Sequence, residues 1–193
     1  MRITDFHPFA KAKEWWIGFS LRRREGPKRP FVLERMAAIF QEKTIPYRLI
    51  YHPDVFTASK LAASIHKPGK EVAKVVIVRA EGKYLMAVLP AHMMLDLNLF
   101  SGMIGEVRLS LAKERELKKL FPPDCEVGAM PPFGNLYDMP VFVDSILAAN
   151  TTIFFPAGSH HETLELHFAD FERLVRPMVG HFAVSPLKKV VAA

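Results

Sequence analysis

Lys74 opens the strongest strand signal of the chain, Lys74-Val75-Val76-Ile77-Val78-Arg79-Ala80. An ammonium group there must find a partner, a cavity or an edge, because burying an uncompensated charge is costly. Two readings stay open: a side chain that snorkels to solvent at a strand end, or a cation facing a ligand. In the second case its chemistry is electrostatic, gripping a phosphate or polarising a carbonyl. A second candidate is the stretch Val127-Gly128-Ala129-Met130-Pro131-Pro132-Phe133-Gly134-Asn135. Two glycines around two prolines make either a tight turn or a stiff wall that presents backbone N–H groups to a small molecule.

His160, His161 and His167 form the third candidate. On a strand His161 and His167 share a face, but six residues of extended chain separate them by roughly 20 Å. One ion would need a sharp bend to reach both, so no metal is expected. His161 either orients a water and accepts a proton or is a solvent-facing strand histidine. Cys125 stands between Asp124 and Glu126, and acidic neighbours raise a thiol's pKa, which argues against a nucleophile. The chain carries no Gly-x-Ser-x-Gly elbow, phosphate-binding glycine loop or His-Glu-x-x-His pair.

The elements that must position these residues follow from periodicity. Leu33, Met36, Ala37 and Phe40 recur at helical spacing, and Pro46 ends that helix. Tyr47 to His52 reads as a strand, and Thr57 caps a helix containing Leu61, Ala62 and Ile65 that closes at Lys67-Pro68-Gly69. The Lys74–Ala80 strand turns at Glu81-Gly82 into a partner, Lys83 to Leu89. Leu95 to Met103 and Ala112 to Phe121 are predicted helices, with Val107 to Leu109 a strand between them. Val141 to Val143, Thr152 to Phe155 and Glu162 to Phe168 are further strands. In the last, Leu164, Leu166 and Phe168 share one face, and His161, Thr163, Glu165 and His167 the other. Asp170 to Arg176 closes as a helix. Strands and helices interleave without a repeated β-α period, which predicts a mixed sheet with helices around it.

The 193 residues are half hydrophobic and 24% charged, proportions that suit a packed core and exclude wholesale disorder. Cys125 is the only cysteine, so no intrachain disulfide forms, and a reducing, cytoplasmic compartment is expected. No apolar run is long enough to span a bilayer. Residues 1–30 hold eight basic and three acidic side chains, a net +5 of the chain's +6. That basic arm, with Trp15 and Trp16, docks on the body, meets a membrane surface or stacks on nucleobases. Gly26-Pro27-Lys28-Arg29-Pro30 reads as a hinge. The expected organisation is an arm over 1–30, a domain over 31–180 and a tail over 181–193.

Glu71 to Val78, Gly128 to Gly134, and Ala157-Gly158-Ser159-His160-His161-Glu162-Thr163-Leu164-Glu165-Leu166, in this order, resemble the YbaK/EbsC-type aminoacyl-tRNA deacylases. That family includes the editing domain inserted in bacterial prolyl-tRNA synthetases, and the resemblance runs from about Met36 to Pro177. It implies an α+β fold, a mixed and largely antiparallel curved sheet with surrounding helices. The implied activity is hydrolysis in trans of the ester linking a wrong amino acid to tRNA, without a cofactor. Misacylated tRNA is the implied partner, with an aminoacyl-tRNA synthetase as a candidate companion. The family's essential lysine falls on Lys74, and its pocket loop on Gly128, Pro131, Phe133 and Gly134. The third motif sets Gly158, His160 and His161 near the aminoacyl end.

In such a site Lys74 and His161 are the expected catalytic groups, and backbone N–H groups of the loop would hold the oxyanion. Met130, Pro131 and Phe133 are expected to exclude large side chains, favouring alanine, serine or cysteine. The deacylases for alanyl-tRNA carry a His-Pro pair where this chain reads Phe155-Pro156. Two rivals remain at this level: a module that binds aminoacyl ends without cleaving them, and a small-molecule hydrolase unrelated to tRNA.

Overall fold

The structure, a computed structural model, describes residues 31–186 apart from 106, 122 and 124. The expectations for the basic arm, for Trp15 and Trp16, and for most of the tail lie outside the described residues.

Helix α1 (Phe31–Glu42) forms where the periodicity predicts it, burying Val32, Leu33, Met36 and Phe40 on one stripe. Strand β1 (Arg48–Tyr51) follows, then α2 (Ala58–Ser64), whose cap Thr57 accepts the N–H of Lys60 on its hydroxyl. The hairpin of β2 (Ala73–Ala80) and β3 (Lys83–Pro90) turns on Glu81 and Gly82, both at positive φ. That pair of left-handed residues makes a two-residue turn whose twist matches the strands. Next come β4 (Met94–Leu95), α3 (Leu97–Met103), β5 (Leu109–Leu111) and α4 (Glu114–Leu120). Helix α3 starts two residues after the predicted position because Asp96 caps it, accepting from the N–H groups of Asn98 and Leu99. The chain continues through a single 3₁₀ turn (Gly134–Leu136), β6 (Val141–Asp144), α5 (Ser145–Ala148), β7 (Thr152–Pro156), β8 (Glu162–His167), α6 (Phe168–Val175), β9 (Met178–Gly180) and β10 (Ala183–Val184).

Five strands pair in the order β5-β2-β3-β6-β9, antiparallel across β5-β2-β3 and parallel across β3-β6-β9. A second, antiparallel sheet has the order β1-β8-β7. A parallel bridge from Val72 to Phe154 joins the two. A short pair, β4 with β10, completes the sheets. The result is the expected mixed, largely antiparallel α+β architecture.

Alternation along the central strands feeds two cores. Ile77, Met86, Val88, Val141 and Val143 meet α1, α6 and the rings of Phe40, Phe133, Phe155 and Phe171. Val78, Ala87, Leu89 and Phe142 face the other way, onto Phe100 and Phe182. With both faces covered, β3 is buried from Leu85 to Pro90 and reads as one apolar run. A third, smaller cluster sits under α2, joining Leu61, Ala62, Val72, Ala91 and Phe154.

The body extends past the boundary expected at residue 180. Phe182 is buried, β10 pairs with β4, and the N–H groups of Phe182 and Ala183 both donate to Asp144 Oδ2. Asp144 is itself buried and caps α5 through Oδ1.

Candidate active site

Lys74 is the second residue of β2, half-buried, and its ammonium turns toward the segment that follows β3. It donates to the carbonyl of Met93 and, at 3.5 Å, to that of Ala91. Among the described residues no carboxylate forms an ion pair with it. Burial pushes the Lys74 pKa below that of an ordinary lysine, because low-dielectric surroundings penalise the charged form.

Lys74 lines a narrow cleft whose enclosed space is about 20 Å³, or about 330 Å³ with the open solvent at its mouth. One wall is the entry to α2: Val55, Phe56, the cap Thr57, Ala58 and Leu61. Gly128, Pro156, Ser159 and His160 also line the cleft, with His160 in contact with Phe56. His52 and Thr163 close the remaining side, and neighbouring β1 and β8 bring them together across 111 residues.

Hydrogen bonds fix these groups. His52 Nδ1 donates to the carbonyl of Pro53 at 2.9 Å, since a carbonyl can only accept. In the neutral ring Nε2 is then the acceptor, and the Thr163 hydroxyl donates to it at 2.9 Å. Ser159 Oγ donates to Glu162 Oε2 at 2.8 Å, and both residues are buried. The backbone N–H of His160 donates to Glu126 Oε2 at 2.6 Å, its carbonyl accepts from Val55, and its ring lies against Phe56.

Two glycines at positive φ, Gly128 (+96°) and Gly158 (+103°), let the two wall segments approach. Gly158 donates to the carbonyl of Ala129, and Glu126 donates to the carbonyl of Gly158. Lys74, Gly128 and His160, expected from sequence to share a site, do line one cleft, with Gly158 bonded beside it.

Other expected residues lie elsewhere. Phe133 is fully buried and packs against Phe40, Phe155 and Phe171, so it belongs to the core and not to the cleft wall. Met130, Pro131 and Gly134 are buried outside the lining as well. The loop dips under the sheet after Gly128, which draws its apolar side chains inward. His161 also departs from expectation. It points at Asp54, 3.6 Å away, while His160 takes the place in the cleft. Both precede β8 in a turn, where strand alternation does not apply. The loop amides are partly engaged: Ala129 N–H donates to the carbonyl of Glu126, and Gly128 N–H to Met130 Sδ at 3.0 Å. Cys125 is buried in the core.

The sequence reading missed His52, Phe56, Ser159 and Thr163 as lining groups. Ser159 lay inside a motif already singled out. Nothing local to His52 or Thr163 signals that a sheet register will bring them into contact.

The model of the aminoacyl-tRNA editing domain matches residues 52–174, a span that begins at His52 and includes every residue lining the cleft. The chain belongs to that family. As an editing domain it is an aminoacyl-tRNA deacylase, a hydrolase acting on misacylated tRNA. A curated relative, the multifunctional Ser/Thr-tRNA deacylase ProXp-y of Escherichia coli (strain K12), is 25% identical over 154 residues, covering 77% of this chain and 91% of the relative. Among solved structures, a proposed trans-editing enzyme for prolyl-tRNA synthetase superposes with a TM-score of 0.70 at 16% identity, over 82% of this chain and all of that one. The hypothetical protein APE2540 gives 0.69 at 21% identity, over 78% of this chain and 99% of that one. These two likenesses establish the fold of the editing domain. Among the described residues no helix is long and apolar enough to cross a membrane.

Proposed function

We propose that this editing domain acts in trans, in the compartment where tRNAs are charged, on tRNA carrying a small, hydroxyl-bearing amino acid, serine first. The observation that carries the reading is Lys74, a half-buried lining residue of a narrow cleft whose ammonium, among the described residues, is bonded to carbonyls and to no carboxylate.

An aminoacyl ester is already activated, so no protein nucleophile is required. Water, oriented by a hydroxyl of the terminal ribose, attacks the carbonyl carbon and gives up a proton. The bond to the tRNA 3′-terminal oxygen then breaks, that oxygen takes a proton, and the amino acid leaves as its carboxylate. Lys74 supplies positive charge to the terminal phosphate or to the carbonyl oxygen. Gly128 N–H rests on a thioether sulfur, a weak acceptor, and a developing oxyanion would displace it readily. His160 closes the cleft beside it.

Two features support serine. The Ser159 hydroxyl proton is committed to Glu162, so its oxygen is left to accept a hydrogen bond from a substrate hydroxyl. The named activity of the Escherichia coli relative points the same way.

A panel of misacylated tRNAs tests the proposal. Seryl-tRNA is expected to be cleaved fastest, and Lys74→Ala to slow that cleavage by roughly 10²–10³-fold, the scale of losing one preorganised electrostatic donor. If wild type and Lys74→Ala release every amino acid at the same slow rate, the proposal fails.

A further inference from the structure

We infer that the segment from Lys60 to Lys70 is a phosphate-tracking strip that carries the acceptor strand of the tRNA away from the cleft. The inference rests on the deacylase reading above and adds a surface to it.

The sixteen residues from Val55 to Lys70 contain Lys60, His66, Lys67 and Lys70 and no carboxylate. Lys60, His66 and Lys70 are exposed. Elsewhere on the body many basic side chains are neutralised, as in Lys43–Glu42, Arg48–Glu165, Arg79–Glu116, Lys118–Glu114 and Arg173–Asp170. Among the described residues no ion pair involves Lys60, Lys67 or Lys70. Lys67 instead rests its ammonium 4.8 Å from the centre of the Phe154 ring, an arrangement that leaves its charge available.

The strip is continuous with the cleft. Thr57, Ala58 and Leu61 of the same segment line the cleft, and Lys60 precedes Leu61. At the far end Lys67 and Lys70 line a second, open hollow of about 380 Å³ with Asn150, Thr151 and Thr152. Its carboxylates are Glu71 and Glu165, and Glu165 is paired with Arg48. Ala91 ties the two regions together. Its carbonyl accepts from Lys74 and from Ser59 of α2, and its N–H donates to the carbonyl of Gly69, next to Lys70. A 3′ terminus gripped at Lys74 therefore leaves the cleft beside a row of cations that, among the described residues, are held in no ion pair. Helix α2 alone rises about 10 Å, the axial length of about three nucleotides of one strand.

The test uses the full chain, arm included, and measures binding of uncharged tRNA across a salt series together with deacylation of two substrates. One substrate is full-length seryl-tRNA and the other a serylated CCA trinucleotide. The K60A/K67A/K70A variant is expected to lower the slope of log affinity against log salt by about 2–3, nearly one per lost phosphate contact. It should slow full-length cleavage by roughly 10-fold or more and slow the trinucleotide, which reaches Lys60 alone, far less. The K60R/K67R/K70R variant should keep the wild-type slope. A matched K43A/K83A/K118A variant, which removes the same charge elsewhere, should also keep it. An unchanged slope in the alanine variant, an equal slope loss in the matched variant, or an equal rate loss on the trinucleotide overturns the inference. Failure of wild type to cleave either substrate would reject the enzymatic reading alone, because the salt slope still reports on the strip.

Discussion

The imidazole of His160 lies 4.7 Å from the ring of Phe56, tilted by 56°, and the two form the lip of the cleft. Phe56 is 70% exposed, unusual for a phenylalanine that the backbone around it holds in place. Val55 N–H donates to the His160 carbonyl, so the pair is set by the main chain before any ligand arrives. An aromatic surface at the mouth of the proposed site suits base stacking, worth about 1–3 kcal/mol per base.

Phe56→Ala is therefore expected to raise KM for misacylated tRNA by about 10-fold, with kcat little changed and Phe56→Trp near wild type. The thermal midpoint should hold, because an exposed ring contributes little to the core. A fall in kcat alone would place Phe56 outside substrate contact.

Lys74 predicts an alkaline limit. Its pKa is lowered by burial, so the cation is lost below the pH at which an ordinary lysine, near 10.5, would lose it. Binding of a non-hydrolysable seryl-adenosine amide should decline over that range, and Lys74→Arg should move the decline to higher pH, since arginine stays charged. For folding the sign is also fixed. The unfolded chain binds this proton more tightly, so stability attributable to Lys74 rises as pH climbs through its folded pKa toward the unfolded value. A binding profile identical in wild type and Lys74→Arg would remove Lys74 from ligand contact.

Ser159 separates hydroxyl recognition from mere size selection. Ser159→Ala is expected to slow cleavage of seryl-tRNA by about 10-fold or more and to leave alanyl-tRNA unaffected, narrowing the ratio between them. Equal losses on both would show that the serine only supports Glu162.

Gly134 is required by close approach. Its φ is not left-handed, but an added Cβ would lie 2.6 Å from the Met139 carbonyl oxygen and 2.6 Å from Val141 Cγ2. Gly134→Ala is expected to destabilise by about 1–3 kcal/mol, lowering the thermal midpoint by several degrees. An unchanged midpoint would mean that the 3₁₀ turn and β6 separate easily.

These four sites show which parts of the fold the residues announce. The β2–β3 hairpin was legible because Val75 to Val78 is β-branched throughout and Glu81-Gly82 can turn left-handed. Helix α1 was legible through its Met36–Phe40 spacing. Strands β4, β9 and β10 have two or three residues each, too few for a period, and the sheet context alone creates them. Phe133 misled for a related reason. Glycines and prolines around an aromatic ring look like a pocket wall, and the burial of the ring against Phe40 and Phe171 depends on helices nearly a hundred residues before it and nearly forty after it. His160 lines the cleft as expected, while His161 turns to Asp54, because a turn, and not a strand, carries them. Lys74 with Gly128 was visible as a pair of oddities, while His52 with Thr163 was not visible at all.

The ammonium of Lys74 has three protons. The Met93 carbonyl takes one and the Ala91 carbonyl, at 3.5 Å, lies within reach of a second, which leaves one for a ligand. Such a side chain cannot clasp two oxygens at once. In the proposed mechanism the phosphate and the ester carbonyl would compete for that single donor, and whichever holds it first would leave the other to the backbone.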